Sequence, residues 1–121
     1  GMVRMLIGPD ELAPTVVAEG VSMLSAVGIE VGITAALMAS ILAVVAWRDD
    51  STPTVAVVVG AVVALLAFFF GPLTGASMNP ARTLGPNLLS GAGGLVVYTL
   101  ATVAGAVLAA AVVRWKSKAV P

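Results

Sequence analysis

The sequence contains no cysteine and no histidine, and only 10% of its 121 residues are charged. The first two absences exclude a disulfide framework, a thiolate nucleophile, an imidazole base, and zinc or haem held by Cys or His. The scarcity of charge excludes an ordinary soluble domain, in which about 25% of residues are charged and solvate the surface. No excess of one sign exists either: six Lys or Arg balance six Asp or Glu, so no basic field attracts nucleic acid and no nucleic-acid partner is expected. With 60% hydrophobic residues and a mean hydropathy of +1.09, the chain is expected to reside in a lipid membrane.

Three long apolar stretches occur, at residues 24–47, 55–73 and 95–116 in the widest reading. Each is near the ~20 residues that a helix needs to cross ~30 Å of hydrocarbon. The expected class is therefore an all-α membrane protein with three transmembrane helices. Residues 1–23 read differently. Gly1 ahead of Met2 looks like an appended residue, Met2 to Ile7 like the last turns of a preceding helix, and the rest like an external connection. A cleavable signal peptide is not expected, because Arg4 is followed by Gly8, Pro9, Asp10, Glu11 and Pro14 rather than by an apolar core. Trp47 to Pro53 reads as a tight interfacial turn, with Pro53 opening the next helix.

Arg48 and the cations of the tail, Arg114, Lys116 and Lys118, lie on one side of the membrane because two crossings separate them; Arg4 and Arg82 fall on the other. By the positive-inside rule the C-terminus, with a short tail at 117–121, is expected to be cytoplasmic and the N-terminus outside, in a multi-pass protein of the cell membrane. Small residues recur at four-residue spacing: Gly28, Gly32, Ala36 and Ser40 in the first span, Ala101, Gly105 and Ala109 in the third. Such ridges let helices approach closely in lipid, within the chain or with a partner; simple abundance of Ala and Gly is the plainer reading.

Between the second and third spans, residues 74–94 hold Thr74-Gly75-Ala76-Ser77-Met78-Asn79-Pro80-Ala81-Arg82-Thr83-Leu84-Gly85-Pro86, a segment rich in helix breakers yet nearly uncharged. Asn79-Pro80 has the form of a helix start, Asn as N-cap and Pro at the first helical position; in isolation the dipeptide reads first as a plain loop turn, and the whole string favours the helix start. From Asn79 to Leu89 the rise is roughly 16 Å at 1.5 Å per residue, half a bilayer, which predicts a re-entrant half-helix. Irregular backbone at membrane depth is tolerated only where protein buries it or where it lines a watery cavity. Gly75, Ser77 and Met78 are thus candidates to offer carbonyl acceptors to such a path, with the capped Asn79 at the positive end of the half-helix. Arg82, one turn on, requires hydration or a partner.

The string Thr74-Gly75-x-Ser77-Met78-Asn79-Pro80-Ala81-Arg82-x-x-Gly85-Pro86 resembles the second signature loop of the aquaporin, or major intrinsic protein, family. Ser25-Ala26-Val27-Gly28-Ile29-Glu30 followed by Thr34 is similar to the start of that family's fourth membrane helix. The resemblance covers nearly the whole chain and implies the C-terminal half of a channel built from two inverted halves. It implies that Asn79, Pro80 and Ala81 form the mid-pore motif, that Arg82, Ala67 and Ala76 belong to the selectivity filter, and that a complementary N-terminal half-channel is the partner. Full-length members assemble as tetramers, which makes a homo-oligomer possible here. Two alanines in the filter favour small neutral solutes such as glycerol alongside water. Thr83, where glycerol-type members usually carry Asp, is nearer in pattern to nodulin-type intrinsic proteins and their prokaryotic relatives. Glu30 is expected to hold the loop through hydrogen bonds, the alternative being a hydrated acid near the outer interface.

The expected activity is passive transmembrane transport of water and small neutral solutes, with no metal and no cofactor. The rival is a three-helix fragment or interaction subunit with no pore of its own. An enzyme is not expected: no base is spaced to activate a hydroxyl nucleophile inside the spans.

Overall fold

The computed structural model describes residues 12–46 and 52–119. The readings of Met2 to Ile7 as the end of a helix and of Trp47 to Ser51 as an interfacial turn lie outside these residues. Among the described residues four helices follow one another: α1 (Met23–Ala46), α2 (Thr52–Thr74), α3 (Pro80–Ser90) and α4 (Leu95–Ala119). Three of them, over Met23–Ala46, Pro53–Thr74 and Leu95–Trp115, are long and apolar enough to cross a membrane. The fold is all-α, with three spans and one short helix, as the composition implies.

Local chemistry sets the ends of these elements. Ser22 caps α1, its Oγ accepting the Ser25 N–H at 3.1 Å, which satisfies one of the amides a helix start leaves without an internal partner. α2 continues through Gly71-Pro72 and stops at Gly75, whose φ of 80° is left-handed and whose N–H bonds the Gly71 carbonyl at 2.8 Å. That is the single-bond αL termination, for which glycine carries no Cβ penalty. α3 ends in the same way: Gly91 has a φ of 79°, and its N–H bonds the Asn87 carbonyl.

The three spans are apolar on nearly every face, so lipid and not a hydrophobic core of their own accounts for most of their burial. Phe68 and Phe69 of α2 are exposed and touch edge to face. The most extensive contact is α1 against α4, followed by α1 against α2. Ala101, Gly105 and Ala109 of α4 are buried there, as a small-residue ridge allows. A Cβ on Gly105 would collide with the Val31 carbonyl oxygen and come within 3.0 Å of Thr34 Cβ, so Gly105 marks the closest approach of the two backbones. The ridge on α1 behaves otherwise. Gly28, Gly32 and Ala36 are exposed, and a Cβ on either glycine would meet nothing within 4 Å. α4 packs on the Val31, Thr34 and Ala35 side of α1, because the ridge of one helix requires only a groove in its neighbour, not a second ridge.

Overpacking at a close contact costs typically ~1–3 kcal/mol. Gly105→Ala is accordingly expected to lower the unfolding free energy in detergent micelles by an amount in that range, and Gly28→Ala to leave it within ~0.5 kcal/mol, the usual size of a surface change. Denaturant titration of the two variants checks the contrast.

Candidate functional site

The site is built around one carboxylate. Glu30, the only acid within α1, is buried to 1% exposure and lies roughly 10 Å along the helix from Met23 at 1.5 Å per residue. Its Oε1 accepts from the Thr74 hydroxyl at 2.7 Å and from the Ser77 N–H at 3.0 Å, and its Oε2 accepts from the Met78 N–H at 3.2 Å. Thr74, at the end of α2, also accepts the Ala76 N–H on its Oγ1, and its carbonyl accepts the Tyr98 hydroxyl of α4 at 2.6 Å. The turn from α2 into α3 is thus tied to α1 and to α4. The arrangement satisfies backbone amides that no helix or sheet ladder serves, while the amides and hydroxyl in turn compensate a buried charge that would otherwise cost several kcal/mol.

The tied segment is strained. Ala76 and Met78 have φ values of 42° and 54°, a left-handed conformation that costs an L-residue about 1–2 kcal/mol. The Glu30 bonds at Ser77 and Met78 span that strain and hold it. Gly75 is obligatory for a second reason besides its φ: a Cβ there would lie 2.8 Å from Thr15 Cα. The extended stretch before α1 therefore lies directly against the turn, and the Ala18 N–H bonds the Leu73 carbonyl at 3.0 Å.

A second network fixes α3. The Ser77 hydroxyl donates to the Asn79 carbonyl at 2.9 Å and lies 2.6 Å from the Thr83 hydroxyl. The Thr15 hydroxyl in turn reaches Thr83 Oγ1 at 2.7 Å. Since Ser77 spends its one proton on Asn79, the chain runs in one direction, Thr15 to Thr83 to Ser77 to the Asn79 carbonyl, and each link polarises the next. Asn87 closes the network. Its Oδ1 accepts the Thr15 N–H and its Nδ2 donates to the Thr15 carbonyl, both at 2.9 Å, with a further bond to the Gly93 carbonyl. Thr15, Thr83 and Asn87 are all buried to 1% exposure or less.

These two networks present α3 by its N-terminus. Asn79 has φ −155° and ψ 126°, its Oδ1 accepts the Ala81 N–H at 2.9 Å, and Pro80 takes the first helical position. Asn79, Ala81 and Arg82 are exposed, and Pro80 is half-buried. Ala67 of α2 is likewise exposed. Ala76 is not presented with them: its 2% exposure and its place in an apolar cluster with Ile33 and Met78 enclose it. Of the residues with candidate carbonyls, Gly75 is half-buried, whereas Ser77 and Met78 are buried. Among the described residues no group of acids, His or Cys is placed to hold a metal ion.

Sequence reasoning singles out Glu30 and Asn79 but misses Thr15, Thr83, Asn87 and Tyr98. Thr83 and Asn87 stand four apart, hence on one face of α3, beside the stripe of exposed Leu84 and Leu88; that polar pair is the signal that was there to read. Thr15 carries none, because its partners are 68 and 72 residues away.

The family model described as Major intrinsic protein matches residues 2–113. Aquaporin NIP1-2 of Oryza sativa subsp. japonica is 57% identical over 53 residues, 43% of this chain and 18% of that protein. Nodulin-26 of Glycine max is 46% identical over 55 residues, 45% of this chain and 20% of the relative. The Glycerol uptake facilitator protein of Pseudomonas aeruginosa is 42% identical over 67 residues, 51% of this chain and 23% of the relative. The matched stretches therefore span about a fifth of each relative's length. No solved structure matches.

Removing one partner from a buried hydrogen bond leaves the other unsatisfied, at about 1–3 kcal/mol for each group. Asn87→Ala strips partners from both the N–H and the carbonyl of Thr15, and is expected to destabilise the chain by about 2–4 kcal/mol on that scale. Leu88→Ala, at an exposed neighbouring position, is expected to change stability by less than ~0.5 kcal/mol. Unfolding titrations in micelles test both.

Proposed function

This chain belongs to the major intrinsic protein family, and we propose that it supplies one half of the wall of a channel that passes water and small neutral solutes such as glycerol down their gradients. The observation that carries the reading is the Asn79 cap with Arg82 one turn further on, both exposed, on a turn bound to the Glu30 carboxylate inside a membrane span. In this reading α3 is re-entrant. Asn79 orients the permeating molecule at the positive end of the helix, where N–H donors concentrate, and Arg82 repels cations while donating hydrogen bonds. Pro80 and Ala81 complete the mid-pore motif, and Gly75, Ser77 and Met78 contribute carbonyl acceptors.

Ala67, small and exposed, leaves the aperture wide; Ala76, being enclosed, contributes through its backbone conformation more than through its methyl group. The name of the bacterial relative, a glycerol uptake facilitator, supports a polyol as one solute. The other half of the wall comes from a complementary N-terminal half-channel, and the assembled subunits form a homo-oligomer, a tetramer as in full-length members. In this reading the N-terminus lies outside the cell membrane and the C-terminus in the cytoplasm, the orientation that the bias of Arg and Lys favours. Passive transport is the activity, and no enzymatic step is assigned.

One observation favours a second reading for the chain by itself, a three-helix subunit with no pore of its own. Ala67, Asn79, Ala81 and Arg82 are exposed, and α2 shows hardly any burial along its apolar length, so in one copy they border an open face. Two parallel copies cannot generate the inverted pair. The chain reconstituted alone in one orientation is therefore expected to give little or no water flux by stopped-flow light scattering; fast, Arg82-dependent flux from that preparation sinks the half-channel account. With a complementary half added, Ala67→His is expected to reduce glycerol permeation more than water permeation by narrowing the aperture, and equal loss of both would count against Ala67 as a wall of the path.

A further inference from the structure

A recess of about 170 Å³ lies between the N-terminal halves of α1 and α4. Met23 and Val27 of α1 and Val97 and Ala101 of α4 give it apolar walls, and Glu30 and Tyr98 supply its polar end. No residue of the 75–82 segment lines it. Its polar end is the same Glu30 carboxylate that holds the turn. We propose that this recess binds a small, neutral, monohydroxy alcohol with a ring-sized hydrocarbon body, whose hydroxyl donates to Glu30.

Size, polarity and charge each narrow the occupant. An apolar cavity of about 150 Å³ holds benzene, and water enters a cavity only where two to four polar partners serve it. The walls here are valine, alanine and methionine, so a hydrocarbon body displaces no hydrogen-bonded solvent from them. At the polar end, Oε1 of Glu30 already accepts two donors, Thr74 Oγ1 and Ser77 N–H, whereas Oε2 accepts one, the Met78 N–H. A carboxylate oxygen carries two lone pairs, so Oε2 has room for one further donor. Tyr98 gives its proton to the Thr74 carbonyl, so its oxygen is an acceptor as well. Glu30 and Tyr98 thus present acceptors at this end. One hydroxyl matches it. A polyol would leave its remaining hydroxyls against valine, unpaired, and an anion would meet the charge of Glu30. The occupant's chemistry is accordingly the converse of the polyols proposed for the path, and its binding requires no pore.

The test uses the whole chain in detergent micelles, with methyl NMR spectra followed during titration with benzyl alcohol, toluene or glycerol. Benzyl alcohol is expected to shift the Met23, Val27 and Val97 methyl signals saturably, with an affinity at least fivefold above that of toluene, while glycerol gives no saturable shift. Val57 and Val112, exposed at 71% and 51%, report partition into the micelle and are expected to respond linearly. Val27→Phe fills the recess from its rim and is expected to abolish saturable binding. Should that variant fail to fold, Val97→Ala, which enlarges the recess, is expected to raise affinity for naphthalenemethanol at least threefold. Linear shifts at every methyl, equal affinity for toluene and benzyl alcohol, or undiminished binding to a folded Val27→Phe would overturn the proposal. None of these readouts involves flux, so they stand or fall separately from the channel reading.

Discussion

The structure depends on the carboxylate of Glu30. The backbone between Thr74 and Pro80 belongs to no helix, and its buried amides need partners other than a helical ladder. One side chain in α1 takes the Ser77 and Met78 amides and the Thr74 hydroxyl together, and so fixes a turn in which Ala76 and Met78 are both left-handed. Strain of this kind persists only where the surroundings over-determine the backbone. Here the over-determination comes from four elements at once: α1 through Glu30, α2 through Thr74, α4 through Tyr98, and the extended stretch through Thr15. The reward is directional, because α3 can start only where Asn79 stands, with its capped N-terminus and Arg82 turned outward.

The parts of this arrangement that were legible in the sequence are the local ones. Three apolar stretches of membrane-crossing length declare three spans without reference to any contact. Asn79-Pro80 declares a helix start because a cap and a fixed φ act within three residues of each other. Packing direction was not legible in the same way. The ridge of Ala101, Gly105 and Ala109 is buried against α1, but the matching ridge of Gly28, Gly32 and Ala36 is exposed, since spacing says that a face can approach closely and not which neighbour will come. Ala76 illustrates a further limit. Its position in the motif suggests a place at an aperture, yet its positive φ carries it into the cluster with Ile33 and Met78, and φ is decided by the bonds on either side of it. Thr15 and Asn87 pair across 72 residues, where only the fold itself brings the partners together.

Membership of the major intrinsic protein family gives these features a common purpose. Polar groups are sparse, and several are enclosed, in the spans and in the segment between the second and third: Glu30, Thr74, Ser77, Thr83, Asn87 and Thr102 are buried. They are used to fix backbone. Asn79 and Arg82 at the start of α3 are left exposed, as are the small Ala67 and Ala81. The two networks together fix the start of α3 against α1, α4 and the stretch around Thr15.

The claim that one carboxylate holds the turn is tested most directly by amide hydrogen exchange, resolved by residue, in the chain and in Glu30→Gln. The amide of glutamine cannot accept on both of its terminal atoms, so the Ser77 and Met78 amides lose at least one of their acceptors. The account predicts exchange at Ser77 and Met78 faster by about 10-fold or more, equivalent to roughly 1.4 kcal/mol, with protection across the α1/α4 contact around Gly105 unchanged. Unaltered protection at both amides in the folded variant would contradict it.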